Sequence, residues 1–309
     1  MFGGLAVCAL LLIPSVIIKK RFDSDVPSLA LQTTPRLKTP LSCYYALYFT
    51  YVSSSFLLEY TDLFTNKYYP GISPCAVGAC LIGICVYAAY RGVNIITRIG
   101  IFLFAFALFT NVLLFAGSVS SVEFQNGSFA FDGAIEDSLG TLCYFCTPAF
   151  VAVIYGSVAG QTREFRFRQP LLSLLFIAVK FALVMFFVTF AIGSYAQRQN
   201  YQSFVLSRVA HFGSFAGVES IFIALVTVSV MMIISLSFCS IGRFAGRERT
   251  LKTPLLFAAI LMTVSLVSKI NNSVKELFTN TTLMFWFTVA AAGVIPTAYI
   301  FIGGKRNEV

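Results

Sequence analysis

Few of the 309 residues can do chemistry, and each of those few is set among apolar neighbours. Lys180 stands alone near the middle of the run Leu171 to Gly193. An ammonium at the bilayer centre costs at least ~2.5–3.5 kcal/mol on insertion scales, so it marks a site or a partner. It either stands in for a cation or meets a ligand carboxylate, or it pairs with an acid or carbonyls of a neighbouring helix. Glu59 and Asp62 are three residues apart and share one helix face near the end of their run, which suits a ligand site or an interfacial pair. Glu219 opens a long apolar helix, where the helix dipole favours a carboxylate, and Arg208 is near enough in sequence to pair with it.

The strongest geometric candidate is Cys146-Thr147-Pro148, inside an apolar run from about Leu139 to Val158. Pro148 removes a backbone donor and clashes with the preceding turn. A break there frees carbonyls at mid-membrane depth, where discontinuous helices of secondary transporters hold their ligands; an ordinary proline kink is the plainer alternative. Cys143 and Cys146 have CxxC spacing, but no second Cys/His pair accompanies them, so neither a metal nor a redox cofactor is expected. His211, the only histidine, lies on a short amphipathic segment and reads as interfacial. There is no Gly-rich phosphate loop, no HExxH and no nucleophile elbow, so the chain does not read as an enzyme.

The elements that must position these groups are membrane helices. The chain is 58% hydrophobic and 11% charged, with a mean hydropathy of +0.82; a soluble domain carries about 25% charged residues. Repeated apolar runs of roughly 17–25 residues make it an all-α integral membrane bundle rather than a barrel. We expect one polytopic domain over residues 1–309, with nine transmembrane spans near 2–18, 42–64, 72–90, 99–116, 139–158, 171–193, 217–241, 252–268 and 283–302. The net charge of +9 would suggest nucleic acid in a soluble protein, but here the cations follow the membrane. Sixteen Lys and Arg fall on one side of the expected spans, five on the other, and Lys180 within, which places the N-terminus outside and the C-terminus inside. The first run ends on Lys19-Lys20-Arg21 with no cleavage motif, so it is a span rather than a signal peptide. The second span is too polar to face lipid all round, with Tyr44, Tyr45, Tyr48, Tyr51 and Ser53, Ser54, Ser55 on it. Tyr51 and Ser55 are therefore candidate ligand contacts alongside Cys146, Thr147, Pro148 and Lys180, with Glu59, Arg208 and Glu219 as structural or coupling residues.

Three stretches carry a resemblance. In YQSFVLSRVAHFGSFAGVESIFIAL, the residues Tyr201, Phe204, Arg208, Phe212, Gly213, Phe215, Glu219 and Phe222 fit a Tyr…Arg segment, a Gly-x-Phe hinge and an acid opening a long helix. Arg91-Gly92-Val93-Asn94-Ile95-Ile96-Thr97-Arg98 is similar to an Arg-Gly-x-Glu-x-apolar-x-Arg element, and Leu57-Leu58-Glu59-Tyr60-Thr61-Asp62 to an Arg-Glu-Phe-x-Glu helix end. In order and spacing the chain resembles the spore germination permeases, the B subunits of nutrient germinant receptors. It departs from them at Gly217-Val218, where a Glu-Arg pair is usual, at Asn94 for Glu and at Leu58 for Arg.

The resemblance implies a relative of the amino acid/polyamine/organocation permeases, with a LeuT-like inverted repeat of ten helices and a site on broken first and sixth helices. Aligned from its far end, the fifth span here corresponds to the sixth family helix, and the Thr147-Pro148 break falls on it. The first family helix has no counterpart, so the expected fold is truncated at the N-terminus, with nine spans. The implied function is sensing of a small germinant such as an amino acid, with the receptor's A and C subunits and membrane lipid as partners, in the spore inner membrane of a bacterium. A secondary amino acid transporter is the alternative, and a seven-helix receptor, which predicts seven spans, is a third class.

Overall fold

The computed structural model describes residues 2–33, 37–125, 149–158, 168–193, 195, 199, 201–212, 215–216, 218–246 and 251–306. Most of these residues are helical, the rest being short turns and one hairpin of two two-residue strands. In order, the helices are α1 (Phe2–Phe22), α2 (Val26–Thr33), α3 (Lys38–Leu63), α4 (Pro74–Arg91), α5 (Val93–Ser118), α6 (Phe150–Val158), α7 (Arg168–Phe187) and α8 (Gln202–Val209). The hairpin strands β1 (His211–Phe212) and β2 (Phe215–Ala216) pair antiparallel. Then come α9 (Glu219–Phe244), α10 (Lys252–Ile270), α11 (Asn272–Thr279), α12 (Thr281–Val289) and α13 (Ile295–Arg306).

Among the described residues six stretches are long and apolar enough to cross a membrane: Pro74–Arg91, Val93–Ser121, Leu172–Ile192, Glu219–Phe244, Lys252–Ile270 and Thr281–Ile302. Nine were expected, and the difference has a partial physical reason. α3 is long enough at 26 residues, but the Tyr and Ser content noted above lowers its hydropathy. The expected fifth span is described only from residue 149 onward, and α1, 21 residues long with Pro14 inside it, is not among the six. The eighth span, expected near 252–268, is the helix Lys252–Ile270, with Lys252, Thr253 and Pro254 in its first turn and Lys269 in its last.

The bundle is organised around α9, which packs against α3, α4, α5, α6, α8 and α10. α3 is the second hub. Three of its tyrosines bind the last membrane stretch. A π-helical turn at Ala290–Val294, just before Pro296, breaks the regular ladder between α12 and α13. The Tyr44 hydroxyl donates to the Phe287 carbonyl at 3.0 Å and Tyr45 to that of Ala291 at 2.7 Å, while Tyr48 meets Thr288 Oγ1 at 3.2 Å. Tyr45 also stacks on Phe244 of α9, with ring centroids 3.9 Å apart. Each aromatic body fills core while its polar tip finds a partner, as burial requires. Elsewhere small residues let helices close up. A Cβ on Gly156 of α6 would lie 2.6 Å from Ser15 Oγ of α1, so only glycine fits that approach.

Candidate functional site

The sequence candidates divide among three places. Cys146, Thr147 and Pro148 lie outside the described residues, as do Cys143 and the Gly213-Ser214 hinge. The middle of α3 is well defined. Tyr51 is buried there, and its hydroxyl donates to the carbonyls of Leu277 at 2.8 Å and Asn280 at 3.0 Å, at the end of α11. That commits the phenol to the backbone of the α11–α12 corner. Ser55 is buried one turn further on. Between them Ser53 and Ser54 are each 1% exposed, and their hydroxyls have no hydrogen-bond partner among the described residues. A buried hydroxyl left unpaired costs roughly 1–3 kcal/mol, so adjacent orphans in mid-helix ask for a polar visitor.

Lys180 lies on the exposed face of α7, in line with Leu172, Leu175, Val179 and Leu183, and makes no ion pair among the described residues. α7 touches α1 and α5, and does not bring Lys180 to α3. The candidate ligand residues that can be located are therefore not gathered into one pocket.

Where α3 ends, the acids are gathered. Asp62 Oδ1 accepts from Asn66 Nδ2 at 2.7 Å and from Lys275 Nζ at 3.0 Å, and its Oδ2 accepts from the Tyr201 hydroxyl at 2.6 Å. The Tyr201 phenol is held above its ordinary value, first by burial and then by that hydrogen bond to a carboxylate. Glu59, on the same face, is exposed and makes no ion pair among the described residues. Arg208 Nε donates to Glu219 Oε2 at 2.7 Å, its other arm donates to the Lys67 carbonyl at 3.1 Å, and its guanidinium lies over the Phe204 ring. Val218 holds the cap position of α9, no side chain caps the helix, and Glu219 follows it. Its carboxylate still sits in the first turn, where the dipole favours it. A π-helical turn, Phe64–Tyr68, carries Lys67 and Tyr68 toward α9, where Tyr68 meets Ser220 Oγ at 3.2 Å. A cavity of about 220 Å³ opens between the end of α3, the start of α4, and the α10–α11 corner.

At the opposite end is a site that sequence reasoning missed. Asp25, 1% exposed, forms an ion pair with Arg243 of α9, which also donates to the Ser157 carbonyl of α6 at 2.5 Å. Asp25 has a second task. Its Oδ1 accepts from the Ser28 amide at 3.0 Å while Ser28 Oγ accepts from the Asp25 amide at 3.2 Å, a reciprocal cap on α2. Beside it Ser157 Oγ and Ser240 Oγ meet at 2.8 Å, fully buried. The Asp25-x-x-Ser28 spacing announces the cap; nothing local announces Arg243, 218 residues away. Among the described residues no three His, Cys, Asp or Glu are grouped to hold a metal ion.

Apolar helices around a buried hub, with polar networks confined to the helix ends and one buried polar stretch in mid-helix, define a polytopic helical membrane protein. The particular kind follows from the sequence. Residues 1–276 match the family of spore germination proteins, the spore permeases, and the chain belongs to that family. A search of curated proteins found no match.

Proposed function

We propose that the chain is the membrane subunit of a spore nutrient-germinant receptor, a nine-span bundle of LeuT-like inverted-repeat design in the spore inner membrane. It binds a small amino acid-like germinant at mid-membrane depth and signals to A and C subunits of the receptor. It senses rather than catalyses. The observation that carries the reading is the family match over residues 1–276. The paired orphan hydroxyls of Ser53 and Ser54, beside Ser55 in a buried stretch of α3, support a polar ligand there. The other wall is assigned to Cys146, Thr147 and Pro148, whose break would offer carbonyls to the ligand's ammonium. Lys180 is assigned a supporting charge.

The test is germination of spores that carry Thr147→Val with Pro148→Ala. The expected result is a nutrient response shifted to about tenfold higher germinant, the effect of losing one to two hydrogen bonds, with normal amounts of protein in the membrane. An unchanged dose response removes the site from span five. Uptake of a labelled amino acid by proteoliposomes would favour the transporter alternative.

A further inference from the structure

We infer that the cavity where α3 meets the α10–α11 corner is a second binding site, for a small solute carrying one carboxylate. This goes beyond the mid-membrane site and does not depend on it. The cavity measures about 220 Å³, far more than the ~10–15 Å³ that a single water needs. Its walls are written into the sequence as two polar helix faces. Ser265, Ser268, Lys269, Asn272 and Lys275 recur at three- and four-residue intervals along α10 and into α11, and opposite them Thr61, Asp62 and Thr65 do the same on α3.

The free valences in this space are positive and donating. Asp62 is already satisfied by Lys275, Asn66 and Tyr201, so it does not seek a cation. Lys269 is exposed to the cavity and makes no ion pair among the described residues. The four cavity hydroxyls behave differently from one another. Those of Thr61, Thr65 and Ser268 turn back to carbonyls of their own helices at 2.9, 2.8 and 3.0 Å. The Ser265 hydroxyl makes no such bond, although the residue is only 5% exposed. A cavity-facing hydroxyl that makes no hydrogen bond among the described residues, one helical turn from an ammonium without an ion pair, is a seat for one anionic oxygen pair. The fixed charge of Asp62 limits the occupant to a single negative charge, since a phosphate dianion would face it across a few ångströms.

The experiment uses the full chain in neutral phosphatidylcholine nanodiscs, titrated with L-lactate, L-alanine and inorganic phosphate by calorimetry. A monocarboxylate is expected to bind, with affinity reduced about tenfold by Lys269→Gln, as for loss of one charge-assisted hydrogen bond, and severalfold by Ser265→Ala. Both variants should melt with the parent protein. Affinity unchanged in Lys269→Gln overturns the proposal, as does the absence of carboxylate binding to the parent. Phosphate binding tighter than lactate overturns the single-charge assignment. Loss of lactate binding when phosphatidylglycerol is added to the discs assigns the seat to a lipid headgroup instead. The Thr147→Val, Pro148→Ala protein should keep its Lys269-dependent binding, and loss there would return the ligand to the mid-membrane site.

Discussion

Two carboxylates, Asp25 and Asp62, each answer a cation from a distant part of the chain, in opposite environments. Asp25 is sealed in: it and Arg243 are 1% and 11% exposed, and they also bond Ser28 and Ser157. Asp62 and Lys275 are 26% and 41% exposed and border a cavity. Burial decides what each pair is for. A sealed pair is a fixed joint, because separating its charges leaves one stranded in a low dielectric. A wet pair is exchangeable, because water or a solute can replace either partner at small cost.

The largest effect should come from breaking the sealed joint. Asp25→Asn removes the buried carboxylate that faces Arg243 and weakens the cap on α2, and about 3–5 kcal/mol of stability should be lost, read as a marked fall in the apparent melting temperature in detergent. Melting unchanged within a degree would mean that water reaches Arg243, and the contrast with Asp62 would disappear. The same measurement on Lys275→Gln or Arg208→Gln should show a loss of only about 0.2–1 kcal/mol, shrinking further in high salt; Arg208 and Glu219 are 51% and 34% exposed.

The smallest effect is one of pH. Tyr201 keeps its proton to higher pH in the folded protein than in the unfolded chain, whose tyrosines titrate near about 10. Above that value the unfolded chain binds fewer protons than the folded one, so stability falls as pH rises further. Tyr201→Phe should flatten that alkaline limb while leaving neutral-pH melting nearly unaltered. A limb of the same slope in the variant would assign it to another group.

The membrane class and the polar face of α3 were legible in the sequence because hydropathy and three-residue spacing are local. The meaning of that face was not. Tyr51 reads as a ligand contact and its three fellow tyrosines as a polar face, and their hydroxyls go to α11, α12 and the π-turn. Their acceptors lie at the α11–α12 corner and along α12 into the π-turn, more than 220 residues away, and no pattern in α3 contains them. The Arg208 to Glu219 contact could be anticipated, since eleven residues separate the two. The Asp25 to Arg243 joint could not, because each residue is explained locally, one as a helix cap and the other as a cation after a span. The acids at the end of α3 drew notice, whereas the cavity beside them is half built from serines and lysines of α10 and α11 that carry no signature of their own.

The tyrosine seam has a mechanical result. Tyr48 and Thr288 are 240 residues apart in sequence, yet three successive hydroxyl contacts splint α3 to the final membrane stretch along one line. Stiffness of that kind divides a bundle into a frame and the parts that can swing against it. α5 and α7, whose apolar windows are each only 11% buried, lie outside that splint, and Lys180 is on one of them.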